Sequence, residues 1–166
     1  CYVHYAYFMK AIIQRGKSAS VSIENKNVSN IDVGVLVFLG IAKGDGQRDI
    51  DYLVKKTAEL RIFKDHNKNM NLSVKDINGE IMVVSQFTLC GDTHKGNRPT
   101  YMGAMDANSA KKLYDNFIEH LKSFPHVSMV TSYCLDWKTI KEGFSNHYYD
   151  TFALITDNNL SYRENR

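Results

Sequence analysis

Glu80-Ile81-Met82-Val83-Val84-Ser85-Gln86-Phe87-Thr88-Leu89 decides how this chain folds. Four consecutive apolar residues mark a strand covered on both faces, and the run then ends in two hydroxyls and an amide. Side chains alternate along a strand, so Ser85, Phe87 and Leu89 are expected to point one way and Gln86 and Thr88 the other. Ser and Thr can simply close a buried strand and start a turn, here at Gly91-Asp92. The same strand end can instead present its hydroxyls and backbone amides to a ligand.

Working outward, Val33 to Ile41 is a second continuous apolar run, bracketed by Gly34 and Gly40, and suits a central strand. Lys10 to Gln14 and Ala19 to Glu24 carry β-branched alternation around Arg15-Gly16-Lys17 and are expected to form an antiparallel hairpin. Between the buried strands, Ile50, Leu53, Val54, Thr57 and Leu60 fall on one stripe of a helix that Asp45 can cap, with Lys55, Lys56 and Glu59 on the solvent side. Lys64 to Asn71 is polar turn material. Asp106 caps a second helix with Ala110, Leu113, Tyr114, Phe117 and Leu121 on one face, and Pro125 closes that region. Val127 to Val130 and Thr151 to Ile155 complete about seven strands, with no regular β-α-β alternation. The expected fold class is α/β of the α+β type: a mixed, mainly antiparallel sheet in barrel-like layers with two helices packed on one side.

The 166 residues form one domain, expected over 9–166 after an N-terminal extension, 1–8, that lacks the charged and apolar regions of a secretory signal. Hydrophobic content of 43% and charged content of 23% are those of a soluble protein, and no apolar run is long enough for a bilayer. With 21 basic and 18 acidic residues the net charge is +3, which admits a nucleic-acid partner without the strong basic excess of an electrostatic binder. Cys1, Cys90 and Cys134 have no C-x-x-C or Cys/His spacing, which argues against a disulfide framework and structural zinc. A cytoplasmic location is expected.

Ester chemistry needs a nucleophile or activated water, together with donors for the oxyanion. Thr88 and Ser85 are the candidate hydroxyls, but none of the six His lies in a G-x-S-x-G or comparable setting, so a conventional triad is not indicated. The loop from Cys90 to Asp106 carries His94, Lys95, Arg98 and Tyr101, a mixture suited to phosphate contact and base stacking and equally found on solvated loops. Lys43-Gly44-Asp45-Gly46 lacks phosphate-loop spacing and reads as a turn. Asp45, Asp49 and Asp51 complement a helix dipole and need no metal. Trp137 reads as a core or edge residue.

Ser85–Leu89, the following Cys90-Gly91-Asp92-Thr93-His94-Lys95-Gly96-Asn97-Arg98-Pro99-Thr100-Tyr101, and the upstream Ile12-Ile13-Gln14-Arg15, Gly34–Ile41, Leu60-Arg61-Ile62-Phe63 and Met70-Asn71-Leu72-Ser73 together resemble the D-aminoacyl-tRNA deacylases. The resemblance runs from Met9 to about Thr131. It implies hydrolysis of D-aminoacyl-tRNA, with glycyl-tRNA as a further substrate, by a homodimer using no metal or other cofactor. Ser85, Gln86, Phe87 and Thr88 are the implied catalytic residues: Phe87 positions the substrate, amides near Phe87 and Thr88 bind it, and the substrate's ribose hydroxyl assists. Gln86 anchors the strand end and contacts ribose or adenine. Leu89, Lys95, Arg98, Pro99, Asn146 and Thr151 are the implied contacts to substrate and tRNA.

The family screens chirality with a segment N-x-G-P-x-T whose Gly and cis-proline enter the partner subunit's pocket. The positional match here is Asn146-His147-Tyr148-Tyr149-Asp150-Thr151, with Tyr148-Tyr149 in place of Gly-Pro. A cis peptide before a residue other than proline costs about 3 kcal/mol, so Tyr149 is not expected to reproduce that turn. The family's T-G-x-F-G is likewise replaced by Thr131-Ser132-Tyr133-Cys134-Leu135. The segment from about 132 is therefore divergent. A rival reading is a non-catalytic binder of tRNA ends that has lost the screen, and a second rival is an esterase of small substrates.

Overall fold

A computed structural model describes residues 8–23, 26–127, 129–134, 149–156 and 159–164. Its centre is β4 (Gly34–Gly40), whose apolar run is buried almost throughout. β4 pairs antiparallel with β1 (Lys10–Gly16) and parallel with β7 (Glu80–Ser85), the strand that leads into the pentapeptide. β7 is in turn parallel to β8 (Met129–Cys134), while β9 (Tyr149–Thr156) lies antiparallel to β1 and carries β10 (Asn159–Glu164). The six-stranded order is β10-β9-β1-β4-β7-β8.

The anticipated hairpin between the first two strands does not form. Both edges of β1 are occupied, by β4 and β9, and β2 (Ala19–Ile23) pairs with β3 (Lys26–Ile31) in a separate two-stranded sheet. A second small pair, β5 (Phe63–Lys64) and β6 (Met70–Leu72), braces the segment read as turn material. Parallel neighbours need long crossovers, and here they are helical: α1 (Gln47–Glu59) lies between β4 and β7, and α2 (Ala107–Lys122) between β7 and β8. One half of the sheet thus has the β-α-β connections that the strand and helix count did not suggest.

Alternation along β4 explains its unbroken apolar run. Val35, Val37 and Leu39 join Ile81 and Val83 beneath both helices, packed against Ile50, Leu53 and Val54 of α1 and Tyr114, Phe117, Ile118 and Leu121 of α2. Leu36 and Phe38 face the other way, with Met82 and Val84, and are covered by Val21 and Ile31 of the β2–β3 pair. Burying each such side chain contributes about 1.5–3 kcal/mol, so the sheet is held from both faces. Close approach of β4 and β7 needs Gly34, because a Cβ there would lie 1.8 Å from the Glu80 carbonyl oxygen. From the helix layer, the Tyr114 hydroxyl donates to the Val83 carbonyl at 2.7 Å, tying α2 to the middle of β7.

Asp106 caps α2 as expected, accepting from the Ser109 amide at 3.0 Å. Asp45 does not cap α1. Gly46 holds the cap position and its amide donates to Asp49 at 2.8 Å, while Asp45 accepts from the Ala42 and Met9 amides and fastens the start of β1 to the β4 exit. Among the described residues no helix is long and apolar enough to cross a membrane.

Candidate active site

Ser85 is the last residue of β7, paired with Leu39 of β4. The Gln86 amide still donates to the Leu39 carbonyl at 2.8 Å, and there the ladder stops. Phe87–Cys90 form a 3₁₀ turn closed by the Leu89 amide on the Gln86 carbonyl at 3.2 Å, followed by the Gly91 amide on the Thr88 carbonyl at 3.0 Å. The face alternation expected for Ser85 to Leu89 therefore ends at Ser85. Polar residues at the end of a strand can close a local turn where no further ladder is offered, and Gln86 does so by donating its side-chain amide to the Thr88 hydroxyl.

Gly40, at the end of β4, gives this turn its space. A Cβ at Gly40 would meet the Leu89 Cβ at 2.8 Å and the Gln86 carbonyl oxygen at 3.0 Å. From the opposite side the Lys10 ammonium donates to the Leu89 carbonyl at 3.0 Å. Neither Lys10 nor Gly40 is a site residue on the sequence reading: Lys10 is 79 residues from Leu89, and only the β1–β4 register, with Lys10 opposite Gly40, brings them together.

The loop from Cys90 to Asp106 is folded back on itself. Asp92 and Thr100 exchange two backbone hydrogen bonds of 2.9 Å, and Tyr101 then meets Phe87 edge-on, with ring centroids 5.4 Å apart at 70°. Farther along, the Met105 amide donates to the Ile41 carbonyl and the Lys43 amide to that of Gly103, so the loop base is anchored to the β4 exit. The tip carries His94, Lys95, Arg98 and Pro99, all exposed. His94 donates its amide to Asp92 at 2.9 Å and lays Nδ1 against the same oxygen, which together hold the Asp92 carboxyl below its ordinary value. Burial pushes the Cys90 thiol up, against the smaller opposing pull of Lys10. It is a packing residue beneath the turn, and a raised thiol is a poor nucleophile.

Ser85, Gln86, Phe87, Thr88 and Leu89 are thus brought together, all half-buried, with Lys95, Arg98 and Pro99 on the adjoining loop tip. Thr151 is elsewhere in the same chain. It pairs with Arg15, which pairs with Val35, whereas Ser85 is level with Leu39. Four residues along a strand and three strand spacings across place Thr151 roughly 19 Å from Ser85. Asn146, Tyr148 and Trp137 lie outside the described residues. Among the described residues, no group of three or more His, Cys, Asp or Glu is placed to hold a metal ion.

The model of the D-Tyr-tRNA(Tyr) deacylase family matches residues 12–141, which include the whole turn and its loop. The chain belongs to the D-Tyr-tRNA(Tyr) deacylase family. A D-aminoacyl-tRNA deacylase of Thermodesulfovibrio yellowstonii is 48% identical, over 74% of this chain and 92% of the relative. One of Thermosipho africanus is 51% identical over 70% and 78%. Among solved structures, the c-Myc DNA unwinding element binding protein superposes with a TM-score of 0.71 at 29% identity, covering 95% of this chain and 99% of its own. A probable eukaryotic D-amino acid tRNA deacylase, at 16% identity and a TM-score of 0.61, shares the fold. Within this deacylase family the mixed sheet with two helices on one face is therefore the expected architecture. Asn146 and Thr151 fall beyond the matched residues.

Proposed function

We propose that this chain hydrolyses the ester joining a D-amino acid, or glycine, to the 3′ end of tRNA, releasing free amino acid and tRNA. The observation that carries the chemistry is the 3₁₀ turn at the end of β7. Among the described residues, Thr88 and Leu89 have as side-chain partners the Gln86 amide on the Thr88 hydroxyl and the Lys10 ammonium on the Leu89 carbonyl, both donors. Neither can take a proton from a hydroxyl, so Thr88 is not equipped as a nucleophile. What the turn supplies is a backbone donor: a 3₁₀ turn pairs each residue with the third along, so the Thr88 amide near its start has no acceptor inside it. Such a donor, in a turn packed against Gly40 and Lys10, suits an oxyanion formed when water attacks the ester and is worth about 10²–10³ in rate.

In this reading Ser85, Gln86, Phe87 and Thr88 form the reacting surface, the Phe87–Tyr101 edge pair orients the terminal adenosine, and Leu89 shapes the floor. Lys95, Arg98 and Pro99 meet the adjacent nucleotides. Asn146 and Thr151 serve the pocket of a second copy, since a strand end and one loop leave the site open on one side. The working unit is a symmetric homodimer of a single 9–166 domain, acting in the cytoplasm. Parallel assays of D- and L-tyrosyl-tRNA test this: release of D-tyrosine is expected. Retention of tRNA with no release of either amino acid would overturn it in favour of a binding module.

A further inference from the structure

Lys10, half-buried, opens β1 at a point where the backbone is already fixed. Met9 before it is 2% exposed, and the Met9 amide donates to Asp45 at 2.8 Å. Across the sheet Lys10 lies directly opposite Gly40 of β4. Opposed residues of an antiparallel pair present their side chains on one face. Gly40 presents none, and the Leu89 end of the turn takes the space, since a Cβ on Gly40 would lie 2.8 Å from that of Leu89. The turn thereby comes within reach of the Lys10 ammonium, which donates to the Leu89 carbonyl at 3.0 Å.

This bond is one of two that fasten the turn to the sheet, and they act at its opposite ends. At the start, the Gln86 amide donates to the Leu39 carbonyl of β4 at 2.8 Å. At the finish, the Leu89 carbonyl accepts from Lys10 of β1. Thr88 lies between the two anchors, with its own carbonyl accepting from the Gly91 amide at 3.0 Å. A hydrogen bond from an ionised donor is about twice as strong as a neutral one, so the Lys10 anchor is suited to hold backbone that has left its ladder. Its charge also reaches the next residue, where it pulls the Cys90 thiol down against the larger effect of burial.

We propose that Lys10 is a positioning residue of the deacylation: its ammonium clamps the Leu89 carbonyl and so holds the Thr88 amide where the oxyanion of the ester forms. A donor already in place needs no reorganisation as charge develops, whereas displacing it by about 1 Å costs on the order of 10² in rate. The side chains of Ser85 and Phe87 would still meet the substrate in its ground state, so releasing the clamp lowers kcat and spares KM. The reaction named here rests on the deacylase reading; the clamp itself does not.

Two substitutions test it. Lys10→Met keeps most of the stem and removes the charge, while Lys10→Arg keeps the charge, and Arg15 in the same strand shows that a guanidinium can serve a carbonyl in this way. On D-tyrosyl-tRNA, Lys10→Met should lose about tenfold or more in kcat with KM within about twofold of the parent, and Lys10→Arg should recover most of the loss. The D-tyrosyl ester of adenosine, which has no tRNA body, should show the same loss in kcat. Lys43→Met, which removes a charge from the exposed loop at the β4 exit, should cleave that ester as the parent does. Hydrogen exchange reads the clamp without turnover: the Leu89 and Gly91 amides should exchange about tenfold faster in Lys10→Met, with the amides of β7 and α2 unchanged. Parental kcat in Lys10→Met, or an equal loss in Lys10→Arg or Lys43→Met, would overturn the proposal. So would a loss confined to KM on tRNA, which marks a phosphate contact, or parental exchange at the turn. If the parent cleaves neither substrate, the deacylase reading fails and the exchange rates still decide the clamp.

Discussion

Gly40→Ala should disable the turn at the end of β7 without replacing any of the side chains proposed to contact substrate. The added Cβ would lie 2.8 Å from the Leu89 Cβ and 3.0 Å from the Gln86 carbonyl oxygen. Ordinary contact between carbon atoms is about 3.5–4.0 Å, so the turn must retreat by roughly 1 Å. Neither neighbour is the loose end of a side chain, and Gln86 is also held by its amide on Leu39 at 2.8 Å, so the strain falls on the backbone of the turn. Overpacking of this kind costs about 1–3 kcal/mol, and in a domain of this size each kcal/mol lowers Tm by about 2–4 °C. The effect on catalysis should be larger, because displacing reacting groups by about 1 Å costs on the order of 10² in rate. The assay is kcat/KM on D-tyrosyl-tRNA beside a thermal melt of the same preparation. Adding Leu89→Gly removes the closest clash and should return part of the activity, a coupling that independent sites would not show. Parental kcat/KM together with parental Tm in Gly40→Ala would refute the claim that this glycine sets the geometry of the turn.

Thr88→Ala should retain measurable single-turnover deacylation while Phe87→Ala loses substrate placement; a trapped acyl-Thr88 intermediate would contradict this division of roles. Tyr114→Phe removes the donor to the buried Val83 carbonyl and should destabilise the fold by about 1 kcal/mol, read from denaturant midpoints at constant slope. Asp76, Asp92 and Asp106 lie below their ordinary 3.8, and Glu59 below 4.5, through hydrogen bonds from Ser73, His94, Ser109 and Lys75 respectively. Depressed carboxylates contribute stability above their unfolded values and lose it as pH falls through the folded ones, so melts should be level near neutrality and drop below about pH 4. Sedimentation should give a dimer at micromolar concentration, and a monomer there would leave the pocket without its second wall.

Much of the layering was legible in the chain itself, because burial writes a period. The unbroken run from Gly34 to Gly40 identified a strand covered on both faces, and Ile50, Leu53, Val54 and Thr57 in α1 and Tyr114, Phe117 and Leu121 in α2 marked the faces that bury against it. The Asp106 cap was equally readable, since it depends on residues three apart. Pairing was not. Whether β1 turns back on β2 or joins β4 and β9 is decided by which edges remain open once the sheet assembles, and no local pattern records that. Asp45 was misplaced for the same reason: its partner Met9 is 36 residues away.

The candidate site divides along the same line. Which residues are candidates for the chemistry, Ser85 to Leu89 with the loop through Pro99, followed from residue types and from their match to a family. Their shape did not, because alternation holds only while a strand continues, and β7 ends at Ser85. The turn that replaces the strand is held by Gly40 and Lys10, chosen by register across β1 and β4.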